Sequence, residues 1–275
     1  MFKKLLKRCG LRFASGANLH YMRHTPPQSV RNFVRRLAPL DLGVPLIRLG
    51  GTSDGGYLIP DDLEGIRYCF SPGVADLVAF ERALLDLGIP SFLADYSVDG
   101  PPCDLPGCDF LKRFVGPVND SKTITLDEWL QEALPAPEKN DLILQMDIEG
   151  AEYLTLLATS PDILSRFRII ALEIHNLGHL NHPIFFQLAD SVIRKLLDLF
   201  EIAHIHPNNA AGSVPLAGID IPRVLELTLL RKDRVLRRAP ISCLPHELDE
   251  PNVPDLPDIY LNEIWWSKHR TEYGS

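Results

Sequence analysis

Near the start of the chain, two short stretches place apolar residues three and four positions apart with cations between them. This spacing is typical of one face of an α-helix. The apolar positions are Phe2, Leu5, Leu6 and Cys9, then Val30, Phe33, Val34 and Leu37. We predict two amphipathic helices that dock on the body of the protein. Because they are basic, contact with an anionic membrane is the alternative.

From residue 66 onward, continuous apolar runs alternate with stretches of helical spacing. The spacing predicts helices over 77–87 and 184–199, and Thr125 with Glu128 resembles a capping box that opens a third. The apolar runs predict strands over 66–71, 91–94, 114–118, 142–146, 168–172, 200–205 and 224–230. Such an alternation is typical of an α/β fold, with a mostly parallel sheet and helices on both faces.

Proline and glycine mark the irregular segments. Residues 99–109 are rich in Pro, Gly and Asp and are predicted to form a surface loop. Residues 240–258 carry five prolines among acids, which predicts an extended segment. We therefore expect a basic helical arm over 1–45, a main domain over 46–238, and an extended Pro-rich C-terminal segment over 239–275 packed on that domain.

Charge is distributed unevenly along the 275 residues. The first 40 hold nine cations and no carboxylate, whereas the whole chain has a net charge of −8. This overall acidity argues against a general nucleic-acid binder. The five cysteines form no CxxC pair, so neither a disulfide framework nor a cysteine zinc site is indicated.

No apolar run approaches 18 residues, and no apolar stretch follows the basic start as a secretory signal would require. Together with the cysteine pattern, this favours a reducing compartment. We expect a cytoplasmic protein, with peripheral membrane contact through the arm as a further option.

Ionisable residues are concentrated where the predicted strands end, which is where open α/β sheets bind ligands. The first turn, Ser71 to Asp76, contains a single glycine, Gly73, so it lacks the glycine pattern of dinucleotide-binding and P-loop phosphate sites. Asp95 ends the second predicted strand, a position where a carboxylate can accept hydrogen bonds from a ribose diol.

Acids and histidines follow the later strands in close spacing. Asp147, Glu149 and Glu152 lie within six residues, and like charges so close raise a pKa or require a cation. Glu173 with His175, and His204 with His206, have the two-residue spacing that directs strand side chains to one face. Such groups are common ligands of divalent ions, although hydrogen-bonded histidines without a metal are the more frequent arrangement.

Several of these segments together resemble the FkbM-type S-adenosylmethionine-dependent methyltransferases. The similarity covers roughly residues 50–235, and its most specific part is the Met-Asp-Ile-Glu-Gly-Ala-Glu string. The matching segments are Asp54-Gly-Gly-Tyr57, Ser71-Pro-Gly-Val74 with Phe80-Glu81, Gln145-Met-Asp-Ile-Glu-Gly-Ala-Glu152 and Glu173-Ile-His175.

The resemblance implies a class I methyltransferase fold, which is Rossmann-like, with a seven-stranded sheet whose last strand is antiparallel. It also implies S-adenosylmethionine as cofactor and transfer of a methyl group to an oxygen. By this resemblance, the residues that would bind the cofactor are Ser71, Gly73, Asp76, Asp95 and Asp147. Asp147 and Glu149 would also face the acceptor. The first turn has fewer glycines than is usual for methyltransferases.

Two catalytic arrangements follow for a hydroxyl acceptor on a small molecule or glycan. His175 or His206 is a general base oriented by Glu173 or Asp147. Alternatively, Asp147, Glu173 and a histidine, with His206 as candidate, hold a divalent ion. Both versions predict that Asp147, Glu173, His175 and His206 converge. A metal-dependent hydrolase and a non-catalytic binding protein are the competing classes.

Overall fold

The computed structural model describes residues 23–74, 77–134 and 140–267. The helices are α1 (Pro27–Arg36), α2 (Ala79–Asp86), α3 (Leu126–Ala133), α4 (Glu152–Ala158), α5 (Pro161–Leu164) and α6 (Pro183–Leu199). The strands are β1 (Leu40–Asp41), β2 (Leu46–Leu49), β3 (Tyr57–Pro60), β4 (Ile66–Pro72), β5 (Ser91–Ala94), β6 (Asp109–Leu111), β7 (Phe114–Val115), β8 (Thr123–Ile124), β9 (Asp141–Met146), β10 (Phe167–Ile174), β11 (Phe200–Pro207), β12 (Ser213–Leu216), β13 (Ile219–Pro222), β14 (Leu225–Arg231) and β15 (Ala239–Pro240).

Seven strands form the central sheet, in the order β11-β14-β10-β9-β4-β5-β6. Neighbouring strands from β6 to β10 are parallel, whereas β14 is antiparallel to both β10 and β11. The predicted mostly parallel α/β sheet is therefore confirmed. Its order changes direction at β4, since the chain adds β5 on one side of that strand and later β9 on the other.

The two faces of the sheet are covered by different elements. Along β10, Ile170 and Leu172 pack into the larger core with α1, α3, α4 and α6. Ile169 and Ala171 face the other way, toward a smaller core with α2 and the β2–β3 hairpin. Because alternate side chains point to opposite faces and both faces are covered, β10 is apolar along most of its length.

The edge strand beside β5 differs from the prediction. The apolar run 114–118 was predicted to supply it, but β7 pairs with β8 in a separate two-stranded sheet. Asp109–Leu111 instead forms the edge strand beside β5. An edge strand is paired on one side only and remains partly exposed here, so it needs no continuous apolar run. The predicted loop over 99–109 overlaps the first residue of this strand.

The second predicted arm helix is α1, and its apolar face docks on the body. Val30, Phe33 and Val34 are buried, and Phe33 lies against Phe186 of α6 with ring centroids 6.0 Å apart. The stretch from Phe2 to Cys9 lies outside the described residues. Within the ranges that the structure describes, no helix is both long and apolar enough to cross a membrane.

The C-terminal segment is mostly irregular and runs along the body. Its short strand β15 pairs with β1, and Trp265 is fully buried against the core that contains α1. Asn209, just after β11, accepts a hydrogen bond from Val253 N at 2.9 Å and donates one to Val253 O at 2.9 Å. These contacts fix the segment beside the carboxyl end of β11.

An ion network ties together the edge of the sheet where β9 and β10 begin. Arg168 Nε donates to Asp141 Oδ2 at 2.8 Å, and its Nη1 donates to the carbonyls of Asp62 and Glu64 at 2.9 and 2.7 Å. Arg231 at the end of β14 donates to Asp141 Oδ1 at 2.6 Å. The Arg168 side chain is buried, so its removal leaves several acceptors unsatisfied.

Replacing this guanidinium should cost stability. We expect Arg168→Met to lower the free energy of unfolding by about 3 kcal/mol, because the partly buried oxygens that accept from Arg168 lose their donor. Chemical denaturation measures this change. Arg67→Met, which removes an exposed arginine of β4, is the control and should leave stability nearly unchanged. Equal behaviour of the two variants would contradict a stabilising network.

Candidate functional site

A row of ionisable side chains crosses the sheet edge where the parallel strands end. The row consists of Asp147, Glu173, Glu226 and His206. Glu173 of β10 is the register partner of Glu226 of β14, and Glu226 is the partner of His206 of β11. Asp147 follows the last residue of β9, whose Met146 pairs with Leu172. Since adjacent strands lie about 4.8 Å apart, the sheet itself places three carboxylates side by side.

The turn after β9 brings three acids close to His175. Glu152, at the start of α4, is 0% exposed, and its Oε1 accepts hydrogen bonds from Ile148 N at 3.1 Å and Gly150 N at 3.0 Å. The same oxygen lies 3.1 Å from His175 Nδ1. The other ring nitrogen, Nε2, is 3.8 Å from Asp147 Oδ1 and 3.5 Å from Glu149 Oε2.

The first turn touches the acidic turn through the backbone. Gly73 has a φ of +90°, and a Cβ placed on it would lie 1.5 Å from the carbonyl oxygen of Asp147. Asp147 N also donates to Pro72 O at 3.3 Å, and Gly73 N donates to Ala94 O at 3.0 Å. Only glycine fits between these chains, because any side chain would overlap the neighbouring backbone.

Asp95 lies beside this turn at the end of β5. It is buried, and its Oδ1 accepts hydrogen bonds from Ser97 N at 2.7 Å and Ser97 Oγ at 2.6 Å. Gly73, Asp95 and Asp147 therefore flank the point where the sheet order changes direction. Asp76, the remaining residue of the predicted cofactor set, lies outside the described residues.

Ser71 is placed beneath the turn rather than at its surface. Its Oγ lies 2.7 Å from Gln145 Oε1 and also contacts Glu81, and Gln145 Nε2 donates to the Tyr57 hydroxyl at 3.3 Å. Burial raises the pKa of Glu81, although the hydrogen bond from Ser71 opposes this.

Burial and crowding of like charges keep protons in the row. Burial, followed by the charge of Glu173, raises the pKa of Asp147 to about 9. Burial also raises the pKa of Glu226 to about 8, and the hydrogen bond from Asn252 opposes that rise. For His175, burial lowers the pKa, but Glu152, Asp147 and Glu173 outweigh it and raise the pKa to about 9.

Comparison of the sequence with models of known protein families gives no match, and comparison with curated protein sequences gives no significant match.

Of the four predicted catalytic residues, Asp147, Glu173 and His175 interact directly, whereas His206 lies farther along the row. Its ring is buried, with Nδ1 3.8 Å from Glu226 Oε2 and Nε2 4.0 Å from Asp258 Oδ1. Burial lowers the pKa of His206, which favours the neutral ring. Its neighbour His204 pairs with Asp249 of the C-terminal segment, with Nε2 and Oδ1 2.8 Å apart.

Glu226, Asn252 and Tyr57 were not predicted from the sequence as site residues, whereas Asn208 lies at a strand end where the sequence predicts ligand-binding residues. Glu226 is the one acid inside the apolar run of β14, and that interruption was its only signal. Asn208 Nδ2 donates to Glu173 Oε1 at 2.6 Å, and Asn252 Nδ2 donates to Glu226 Oε1 at 2.7 Å. The buried Tyr57 comes from β3, and a hairpin that packs across a sheet gives no local sign of that contact.

Neutralising Glu226 should make stability less dependent on pH. Its carboxyl keeps its proton to about pH 8 in the folded protein but loses it near pH 4.5 when unfolded. The folded state therefore binds more protons in this window, so wild-type stability falls as pH rises through it.

Between pH 5 and pH 8, we expect Glu226→Gln to lose less unfolding free energy than wild type. The difference should exceed about 1.4 kcal/mol, the equivalent of one pKa unit. Glu132→Gln, an exposed change on α3, should retain the wild-type slope. Parallel pH profiles for Glu226→Gln and wild type would show that Glu226 is ionised in the folded state.

Proposed function

We propose that this protein is an S-adenosylmethionine-dependent methyltransferase that transfers a methyl group to a hydroxyl of a small molecule or glycan. The observation that carries the proposal is the placement of Gly73, Asp95 and Asp147 at the strand ends where the sheet order changes direction. In open α/β sheets, ligands bind in the crevice at this point. The strand β14, which is the last strand of the sheet along the chain and is antiparallel to its neighbours, also agrees with a class I methyltransferase fold.

The cofactor would lie over the turn after β4. Because Gly73 has no side chain, this turn can lie directly against the backbone of Asp147, which brings the two turns together beside the proposed cofactor position. Asp95, one strand away, would accept hydrogen bonds from the ribose hydroxyls, while Asp147 on the other side would approach the methyl donor. The single glycine of this turn suits a ligand without phosphates, and S-adenosylmethionine has none.

The reaction requires an acceptor oxygen to displace the sulfonium in line, so positioning supplies much of the rate. As the C–O bond forms, the hydroxyl proton must leave. His175 is the candidate to receive it, with Glu152 fixing the orientation of its ring. Asp147 and Glu173, which lie at neighbouring strand ends, would hydrogen-bond the acceptor. Because the pKa of His175 is raised to about 9, the base form increases with pH.

Cofactor binding should depend on Asp95. We expect Asp95→Asn to weaken S-adenosylmethionine binding about tenfold to a hundredfold in calorimetry, since a hydrogen bond to a charged group contributes about 1.5–3 kcal/mol. Asp99→Asn, in the same loop but exposed, is the control and should retain the affinity of wild type. Unchanged affinity in a folded Asp95→Asn protein would reject this assignment, and absence of binding by wild type would reject the function.

Turnover should depend on His175. An acceptor is first identified by screening hydroxylated compounds with a labelled methyl donor. With that acceptor as substrate, the kcat of wild type should rise as the pH increases through about 9. His175→Asn should lower kcat about a hundredfold, flatten this rise and leave cofactor affinity unchanged. A persistent rise with pH in the variant would assign the base to another residue.

A further inference from the structure

We propose that Asp147, Glu149 and His175 form a binding site for one divalent transition-metal ion, with Mn²⁺ as the fitting class. One ligand atom from each residue lies within 4.8 Å of the other two. This set differs from the ligands that the sequence suggested, because Glu149 takes the place of Glu173 and His175 that of His206. The site stands on its geometry, whereas its part in methyl transfer rests on the proposed function.

The ring nitrogen Nε2 of His175 lies too far from both carboxylates for good hydrogen bonds. Nε2 of His175 is 3.8 Å from Asp147 Oδ1 and 3.5 Å from Glu149 Oε2, whereas charge-assisted hydrogen bonds measure about 2.8 Å. Adjacent ligands of an ion bound at about 2.1 Å lie roughly 3 to 3.4 Å apart. The two distances from Nε2 therefore need to shorten by only a few tenths of an ångström, and the two carboxylate oxygens lie within 4.8 Å of each other.

Asp147 supplies an independent sign of a missing partner. Among the described residues, its Oδ1 is buried and has no hydrogen bond within the protein. This atom is the one nearest to His175 Nε2. A buried carboxylate oxygen without a partner is costly, and a bound cation would satisfy it.

Glu152 prepares His175 to act as a ligand. Its fully buried carboxylate accepts from two backbone amides of the same turn, and the same oxygen faces Nδ1 of the imidazole. An acceptor at Nδ1 selects the ring form with its proton there, which directs the Nε2 lone pair at Asp147 and Glu149. Metal-bound histidines almost always have such a carboxylate or carbonyl behind them.

The donor set indicates the kind of ion. Carboxylate oxygens suit Mg²⁺ and Mn²⁺, whereas an imidazole nitrogen favours transition ions, so two carboxylates with one imidazole fit Mn²⁺. The Glu149 side chain is 87% exposed, so the site opens to solvent. Three protein ligands leave positions where an acceptor hydroxyl could bind and release its proton to solvent. With the ion bound, Nε2 of His175 would be a ligand, so the ion would replace His175 as the group that activates the acceptor.

The test titrates Mn²⁺ into the full chain, without cofactor or acceptor, and follows free Mn²⁺ by electron paramagnetic resonance. We expect wild type to bind one ion and Glu149→Gln and His175→Gln each to weaken binding at least tenfold. Glu152→Gln should weaken it about tenfold or more through loss of ring orientation. Glu132→Gln removes an exposed carboxylate outside the cluster and should bind as wild type does.

Circular dichroism checks that each variant is folded. Should His175→Gln fail to fold, the exposed Glu149 still decides the question. Failure of wild type to bind Mn²⁺ would overturn the proposal, as would wild-type binding by folded Glu149→Gln. Calorimetry with S-adenosylmethionine in the absence of metal separates the two proposals. Mn²⁺ binding without cofactor binding would keep the ion site and reject the methyltransferase, and the reverse result would reject only the ion site.

Discussion

The spacing of paired β-strands is the constraint on which the candidate site depends. Asp147, Glu173 and Glu226 occupy the ends of three successive strands, and each lies about one strand spacing from the next. The backbone pairing that stabilises the sheet thus holds like charges together in a buried place, where their repulsion is poorly screened. Protons, amide donors or a cation must compensate, and these are also the groups that can act on a substrate.

The compensation is divided along the row. At the Glu226 end, side-chain amides satisfy the carboxylates, with Asn252 on Glu226 and Asn208 on Glu173. At the Asp147 end, the compensating group is the His175 ring, backed by Glu152. The amides are neutral and fixed in their hydrogen bonds. The imidazole can exchange a proton or accept a metal ion, so chemistry is expected at the end of the row nearest the change in strand order.

Much of the fold could be predicted because its pattern is local. The apolar runs of β4, β5, β9, β10, β11 and β14 correspond to buried strands, and the positions of Asp95 and Asp147 at strand ends follow from those runs. The edge strand β6 could not be predicted, because half-buried edge strands need no apolar run. Nor could the separation of His206 from His175, which depends on β14 being inserted between β10 and β11.

The C-terminal segment shows why a site cannot be read from one continuous stretch of sequence. Its acids and prolines predict an extended chain packed on the domain, but not which residues it contacts. In the structure, Asn252 hydrogen-bonds Glu226 and Asp249 pairs with His204, so the segment supplies partners to two central strands. Removing it would expose His204 and leave Glu226 without its amide donor. The segment therefore belongs to the wall of the candidate site, and the ionisation of the row depends on residues that lie outside the sheet.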